Sequence, residues 1–341
     1  MAAGAAPRAA RHAKPAASTP AGFSYAQRED AMQFADEVAR RHGLDAAWVR
    51  STIGQARFLP GVPRLMLPPP RGTAKNWERY RSRFVEPVRI AAGVRFWRDN
   101  EAALARAERE FGVPPEIVVG IIGVETIYGR NMGSFRVLDA LATLAFDFPG
   151  AHPRAEQRQA FFREELESFL STESRTHEDP ARPLGSYAGA MGMPQFMPSS
   201  IARYAVDFDG DGRIDLVNNP QDVIGSVASY FKAFGWQRGV PATYAVQLDP
   251  ARANLPVLLD KDILPSLSAD AFVAAGAQLA PGGQRHPGLL ALVELQNGPD
   301  APPSYVAGTQ NFYVITRYNW SSYYAMSVLD LGQEVKAAMA Q

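Results

Sequence analysis

One stretch constrains this chain more than any other: residues 114–128, PPEIVVGIIGVETIY. It is apolar on nearly every face of a helix, so the fold must bury it on all sides. Pro114 and Pro115 suit a first helical turn, and Gly129 suits the stop. Its longest apolar run, 117–124, is far shorter than a bilayer crossing requires. A helix of this kind needs surroundings, and the 341 residues are enough for two or three domains and a sizeable core.

The surroundings read as mostly helical. Amphipathic or apolar helix patterns cover 31–42, 45–55, 77–81, 86–94, 96–111, 137–145 and 157–171, with a proline-rich connector over 60–70. From 241 to 303 short apolar pieces (244–248, 255–259, 289–295) alternate with Pro, Gly, Asn and Asp, the texture of a small β-rich subdomain. Residues 311–317, NFYVITR, suit a strand or extended segment, and 322–339 return to helix. The predicted fold class is therefore α+β, mostly α. The expected division is a flexible leader over 1–22, an N-terminal helical domain over 23–94, a core over 95–240 plus 304–341, and the β-rich insertion over 241–303. Residues 1–20 are Ala/Pro-rich with scattered basic residues and lack the apolar stretch of a signal peptide.

Within the apolar helix Glu125 is conspicuous. Ile121 and Ile122 lie one turn before it and Tyr128 one turn after. A carboxyl group held against apolar walls loses hydration, which raises its pKa. A general acid needs that, because it must arrive protonated near neutral pH. Spacing alone leaves a more ordinary role open, that of a structural acid paired with Arg130 or another cation.

A second segment, 186–200, reads SYAGAMGMPQFMPSS. Its small residues (Ser186, Gly189, Ala190, Gly192) permit close approach of another backbone or a ligand. Gln195 offers a long amide, the methionines with Phe196 offer an adaptable apolar wall, and Ser199 suits the N-cap of a following helix. A tight turn with ordinary core packing is the alternative.

The nine residues DFDGDGRID place Asp207, Asp209, Asp211 and Asp215 at positions 1, 3, 5 and 9 of an EF-hand-like loop. Gly212 sits at the sharp bend and Arg213 offers its carbonyl at position 7. Carboxylates this close repel one another unless a cation joins them, so a structural Ca2+ is expected. Position 12 is Asn218 rather than Glu, and Asp222 is the best residue to complete the ligand set. A metal-free acidic turn is the alternative.

Composition narrows the function classes. Thirty-five basic residues balance 35 acidic ones, without the basic surplus of a nucleic-acid binder. There is no cysteine, so disulfides, thiolate metal sites, a cysteine nucleophile and a cysteine-linked lipid are excluded.

GVET followed by YGR, the AMGMPQFMPSS stretch and NFYVITRYNWSSYYA together resemble the signatures of the membrane-bound lytic murein transglycosylase B family. The resemblance runs from about residue 23 to the C-terminus and is weakest over 241–303. It implies a lysozyme-like core in which Glu125 ends a buried helix and points into a sugar groove. By the same resemblance Ser186, Gln195, Tyr230, Tyr318, Asn319, Tyr324 and Tyr80 would line that groove, and Arg158 would meet the acidic peptide stem. Tyrosine suits sugars, because its face stacks on C–H groups while its hydroxyl finds polar partners. Family relatives carry a similarly lengthened loop, which supports Asp222 as a ligand.

The implied reaction cleaves the β-1,4 bond between N-acetylmuramic acid and N-acetylglucosamine and forms a 1,6-anhydromuramyl product. Most glycosidases use two carboxylates; these signatures contain one, so Glu125 would serve first as acid and then as base. No organic cofactor is expected. The expected partners are peptidoglycan glycan strands and other cell-wall enzymes, with a periplasmic, monomeric protein lacking a lipid anchor. A lysozyme-type hydrolase, a non-catalytic peptidoglycan-binding protein and a calcium-responsive module are the alternatives.

Overall fold

The computed structural model describes residues 22–68, 75–176, 178–249 and 251–340. The expected leader, Gly22 apart, lies outside them, as does part of the proline-rich connector. No helix among the described residues is long and apolar enough to cross a membrane.

The Pro115–Thr126 helix is the centre of the largest core. Nine of its twelve residues are buried, as its all-round apolar sequence requires. Its main neighbour is the Ser322–Met339 helix, and the two run antiparallel with their backbones almost touching. A methyl group added at Gly120 would lie 2.3 Å from the Val328 carbonyl oxygen, and one at Gly332 would lie 2.1 Å from that of Glu116. Two glycines therefore set the helix separation. The pairing of 116 with 332 and 120 with 328 carries on to bring 125 beside 324. The Pro87–Asp99, Glu101–Phe111 and Pro220–Ala233 helices complete this core.

A second core joins the Glu29–His42 and Ala46–Gln55 helices to the Val137–Phe146 and Ala155–Thr176 helices. The first of these carries acids in its first turn, bases in its last, and Gly43 in the left-handed conformation at its end. Asp45 caps the next by accepting from the Ala47 and Trp48 amides.

The β-rich region is a four-stranded antiparallel sheet in the order Ala277–Leu279, Thr243–Leu248, Ser304–Gly308, Ala291–Leu295. Alternation along the strands divides its faces. Leu292 and Ala307 face a small local core with Phe272, whereas Val293, Leu295 and Val306 pack against the main core.

Five expectations differ from the structure. Residues 311–317 are not a strand: Gln310–Thr316 is a helix, capped by the Thr309 hydroxyl, which accepts from the Asn311 amide at 3.1 Å. A short apolar run carries no decisive period, and here burial of Phe312, Val314 and Ile315 in the main core decides. Within the insertion, Leu255–Leu258 is likewise a helical turn. The expected 96–111 helix is two helices meeting at Asn100, whose side chain donates to the Phe96 carbonyl. Finally, 23–94 does not share one core: 29–55 packs with 137–170, while Trp77, Ile90 and Val94 pack around the central helix. The sheet also runs past 303, through Gly308.

Candidate active site

The central helix stops at Glu125 and Thr126 because the chain then turns left-handed at Ile127, Tyr128 and Gly129 in succession. Two of these are not glycines, so surrounding contacts must hold the strained turn. Thr126 supplies some of them: its hydroxyl donates to the Met193 carbonyl at 2.8 Å and accepts from the Gly129 amide at 3.0 Å. Glu125 lies in the last helical turn, just before this break. Glu125 as a residue keeps partial exposure, yet its carboxyl group is walled in. Burial pushes its pKa up to about 7, opposed by a hydrogen bond from the Tyr324 hydroxyl to Oε1. Glu125 makes no salt bridge among the described residues, and Arg130 is exposed. The ion-pair alternative therefore has no partner here.

Three tyrosines surround this carboxyl group. Tyr324 is buried, and burial and the Glu125 charge hold its hydroxyl well above the usual range. Tyr318 lies parallel to Tyr324 with ring centroids 6.5 Å apart, and its hydroxyl donates to the Pro194 carbonyl at 2.5 Å. Tyr80 stacks on Trp77, and its pKa is raised by burial and then by Glu125, which places its hydroxyl within the field of the carboxylate. Tyr230 stands behind them. It is 6 % exposed and its hydroxyl donates to the Arg317 carbonyl at 2.8 Å, so it braces Tyr318 from the core side. Asn319 is exposed beside them.

The glycine- and methionine-rich segment forms the adjoining wall. Ser186 Oγ accepts from the Ala188 and Ala190 amides at 3.2 and 3.0 Å, which leaves its own proton to donate outward. Gln195 is in the left-handed region (φ 51°), and its amide nitrogen donates to the Met132 and Gly192 carbonyls. Those bonds tether the wall to the loop after Glu125 and leave only Oε1 for a ligand. Arg158 lies further off, its guanidinium 5.0 and 5.1 Å from the Phe161 and Phe162 rings and within the field of Tyr187. Ser199 does not cap its helix. Met197 holds the cap position, and the Ser199 amide and hydroxyl donate to buried Glu165 at 2.9 and 2.7 Å. Thr126 and Glu165 were not legible as site-supporting residues, because their partners lie 67 and 34 residues away.

The acidic loop brings three of its six expected ligands together. One oxygen each from Asp207, Asp209 and Asp211 lie within 4.8 Å of one another, at the surface. Hydrogen bonds from the Gly212, Gly210 and Asp211 amides hold the Asp207 pKa low, so it is ionised and oriented. Asp215 folds back to accept from the Val217 and Asn218 amides. Asp222 is fully buried beneath the loop, with its oxygens accepting from the Phe208 and Asp215 amides at 2.7 and 2.8 Å. It clamps the two ends of the loop. The hard oxygen donors fit calcium.

The Glu125 carboxyl group, walled in at the end of a buried helix, its pKa raised to about 7 and ringed by Tyr324, Tyr318 and Tyr80, suits acid–base chemistry on a glycan. The Transglycosylase SLT domain family matches residues 26–333, and the chain belongs to that family. It is 43% identical over 329 residues to membrane-bound lytic murein transglycosylase B of Escherichia coli, covering 94% of this chain and 86% of that protein. Among solved structures it is similar to the Escherichia coli lytic transglycosylase SLT35 in complex with calcium, with TM-score 0.81, 44% identity, and 95% and 97% of the two chains covered. A more distant likeness is SltB3 from Pseudomonas aeruginosa in complex with NAG-NAM-pentapeptide, with TM-score 0.70, 28% identity, and 90% and 79% covered. The chain is accordingly a lytic transglycosylase that cleaves peptidoglycan glycan.

Proposed function

We propose that Glu125 is both the acid and the base of this reaction. Protonated Glu125 donates to the glycosidic oxygen leaving C1 of N-acetylmuramic acid, and the C1–O bond breaks. Positive charge grows on the muramyl ring. The Ser186 hydroxyl, the tyrosine dipoles and the substrate's own N-acetyl group stabilise it. The Glu125 carboxylate then takes the proton from the muramyl 6-hydroxyl while that oxygen bonds to C1. The product is a 1,6-anhydro sugar, no water is consumed, and Glu125 ends protonated as it began.

The observation that carries this reading is the placement of Glu125 at the end of the buried helix, without a cationic partner among the described residues and with the Tyr324 hydroxyl on its carboxyl group. There burial raises its pKa to about 7 and keeps both protonation states within reach of one turnover. Tyr324 fits the same cycle, since its donated hydrogen bond favours the carboxylate formed in the first half. Tyr80 and Tyr318 line the ring-binding region, Gln195 offers Oε1 and Asn319 its amide. Arg158 supplies a cation for acidic stem peptides further out.

The loop at Asp207, Asp209 and Asp211, completed by the Arg213 carbonyl and backed by Asp215 and Asp222, holds a structural Ca2+. A periplasmic, monomeric enzyme without organic cofactor, acting on glycan strands beside other cell-wall enzymes, accords with this substrate.

Digestion of purified sacculi followed by mass spectrometry tests the reaction. The expected muropeptides are one water lighter than hydrolysis products; reducing-end products would assign hydrolysis instead. Glu125→Gln is expected to lose about 100-fold or more in kcat. Cleavage at the wild-type rate would overturn the Glu125 assignment.

A further inference from the structure

The aromatic stack does not end at Tyr318. Arg317 and Trp320 flank Tyr318 and Asn319 in sequence and form a separate exposed feature. The Arg317 guanidinium lies 5.5, 5.9 and 5.8 Å from the Phe234, Tyr313 and Trp320 ring centroids. Tyr313 meets Trp320 edge to face at 5.9 Å. Trp320 is 57% exposed, although an indole this large is ordinarily mostly covered. Arg317 is also exposed and makes no salt bridge among the described residues. Three rings therefore hold a cation in place without neutralising it.

The position of this feature follows from the helix pairing. Tyr324 is in the first turn of the Ser322–Met339 helix, and its hydroxyl reaches Glu125. Trp320 precedes it by four residues, a span of at most about 14 Å. The feature thus lies at the same end of the helix pair as the reacting carboxyl group. It is continuous with the groove through Tyr318, which packs on both Tyr324 and Tyr230, and Tyr230 packs on Phe234.

Resting on the transglycosylase reading, we propose that Trp320 and Arg317 form an accessory subsite for a stem-bearing muramyl residue beyond the cleavage point. The exposed indole takes the apolar face of the sugar ring. The guanidinium takes a carboxylate of the peptide stem, which its planar donor fork matches. Phe234 and Tyr313 position the guanidinium.

The test compares Trp320→Ala and Arg317→Gln on long glycan strands with stems intact and on the same strands after amidase removal of the stems. Trp320→Ala is expected to raise KM about 10-fold on both substrates, with kcat within about twofold of wild type, because uniform binding is lost. Arg317→Gln is expected to raise KM only on stem-bearing strands. An unaltered KM for Trp320→Ala, or equal effects of Arg317→Gln on the two substrates, overturns the subsite. A second measurement is independent of turnover. In a Glu125→Gln background, stem-bearing strands shift the tryptophan emission, and Trp320→Phe abolishes the shift. A shift of equal size in both proteins also overturns the subsite. Failure of the wild-type enzyme to cleave either strand would instead overturn the transglycosylase reading.

Discussion

Glu125→Gln makes a prediction about stability as well as activity. Burial raises the folded-state pKa from the ordinary 4.5 to about 7. The folded state therefore binds a proton more tightly than the unfolded state, and the stability contributed by this group falls as pH rises. Below pH 4.5 both states are protonated and the site costs nothing through ionisation. Between 4.5 and 7 the cost grows by about 1.36 kcal/mol per pH unit, reaching roughly 3 kcal/mol above pH 7. Glutamine fills almost the same volume, stays neutral, and its oxygen still accepts from Tyr324. The variant is thus expected to match wild type at pH 4.5 and to exceed it by roughly 3 kcal/mol at pH 8. Thermal melts of both proteins from pH 4.5 to 8.5 measure this as a gap that opens with pH. A gap of the same size at every pH would refute the reasoning, and so would a variant less stable than wild type at pH 8.

Three further outcomes follow from other parts of the molecule. Tyr324→Phe removes the bond that favours the Glu125 carboxylate, so the alkaline limb of the kcat/KM profile is expected to move up by about 1 to 2 pH units, as a charged hydrogen bond implies; the profile itself is the readout. Gly332→Ala drives a methyl group into the Glu116 carbonyl, 2.1 Å away. The expected loss is about 1 to 3 kcal/mol in denaturant titration, with a fall in activity as 324 and 125 separate. Asp222→Asn replaces one acceptor with a donor facing a backbone amide, costing about 1 to 3 kcal/mol. If the proposed Ca2+ is bound, chelator is expected to lower the melting temperature of wild type more than that of the variant, because the clamp holding the acidic loop is already weakened.

Much of the site was legible before folding because it is local in sequence. An apolar helix with Glu125 as its only acid after the first turn, bounded by Pro115 and Gly129, can hardly be anything but buried. The acids at 207, 209 and 211 meet because two residues of spacing in a tight turn leave them little choice. Where local pattern was ambiguous, as in NFYVIT, or where the partner lies far along the chain, as for Thr126 and Ser199, the sequence did not reveal the contact.

Glu125 shows both sides of this division. The sequence by itself determined that its helix would be buried, that the helix would stop just after it, and that no other acid sits beside it in the motif. Only the tertiary structure decided what that isolation means. Glycines 120 and 332 let two helix backbones approach closely enough to bring Tyr324, 199 residues away, onto its carboxyl group. Sequence spacing records what one segment can become. The pKa of a buried group is set by which other segments exclude water from it, and that is a property of the packing.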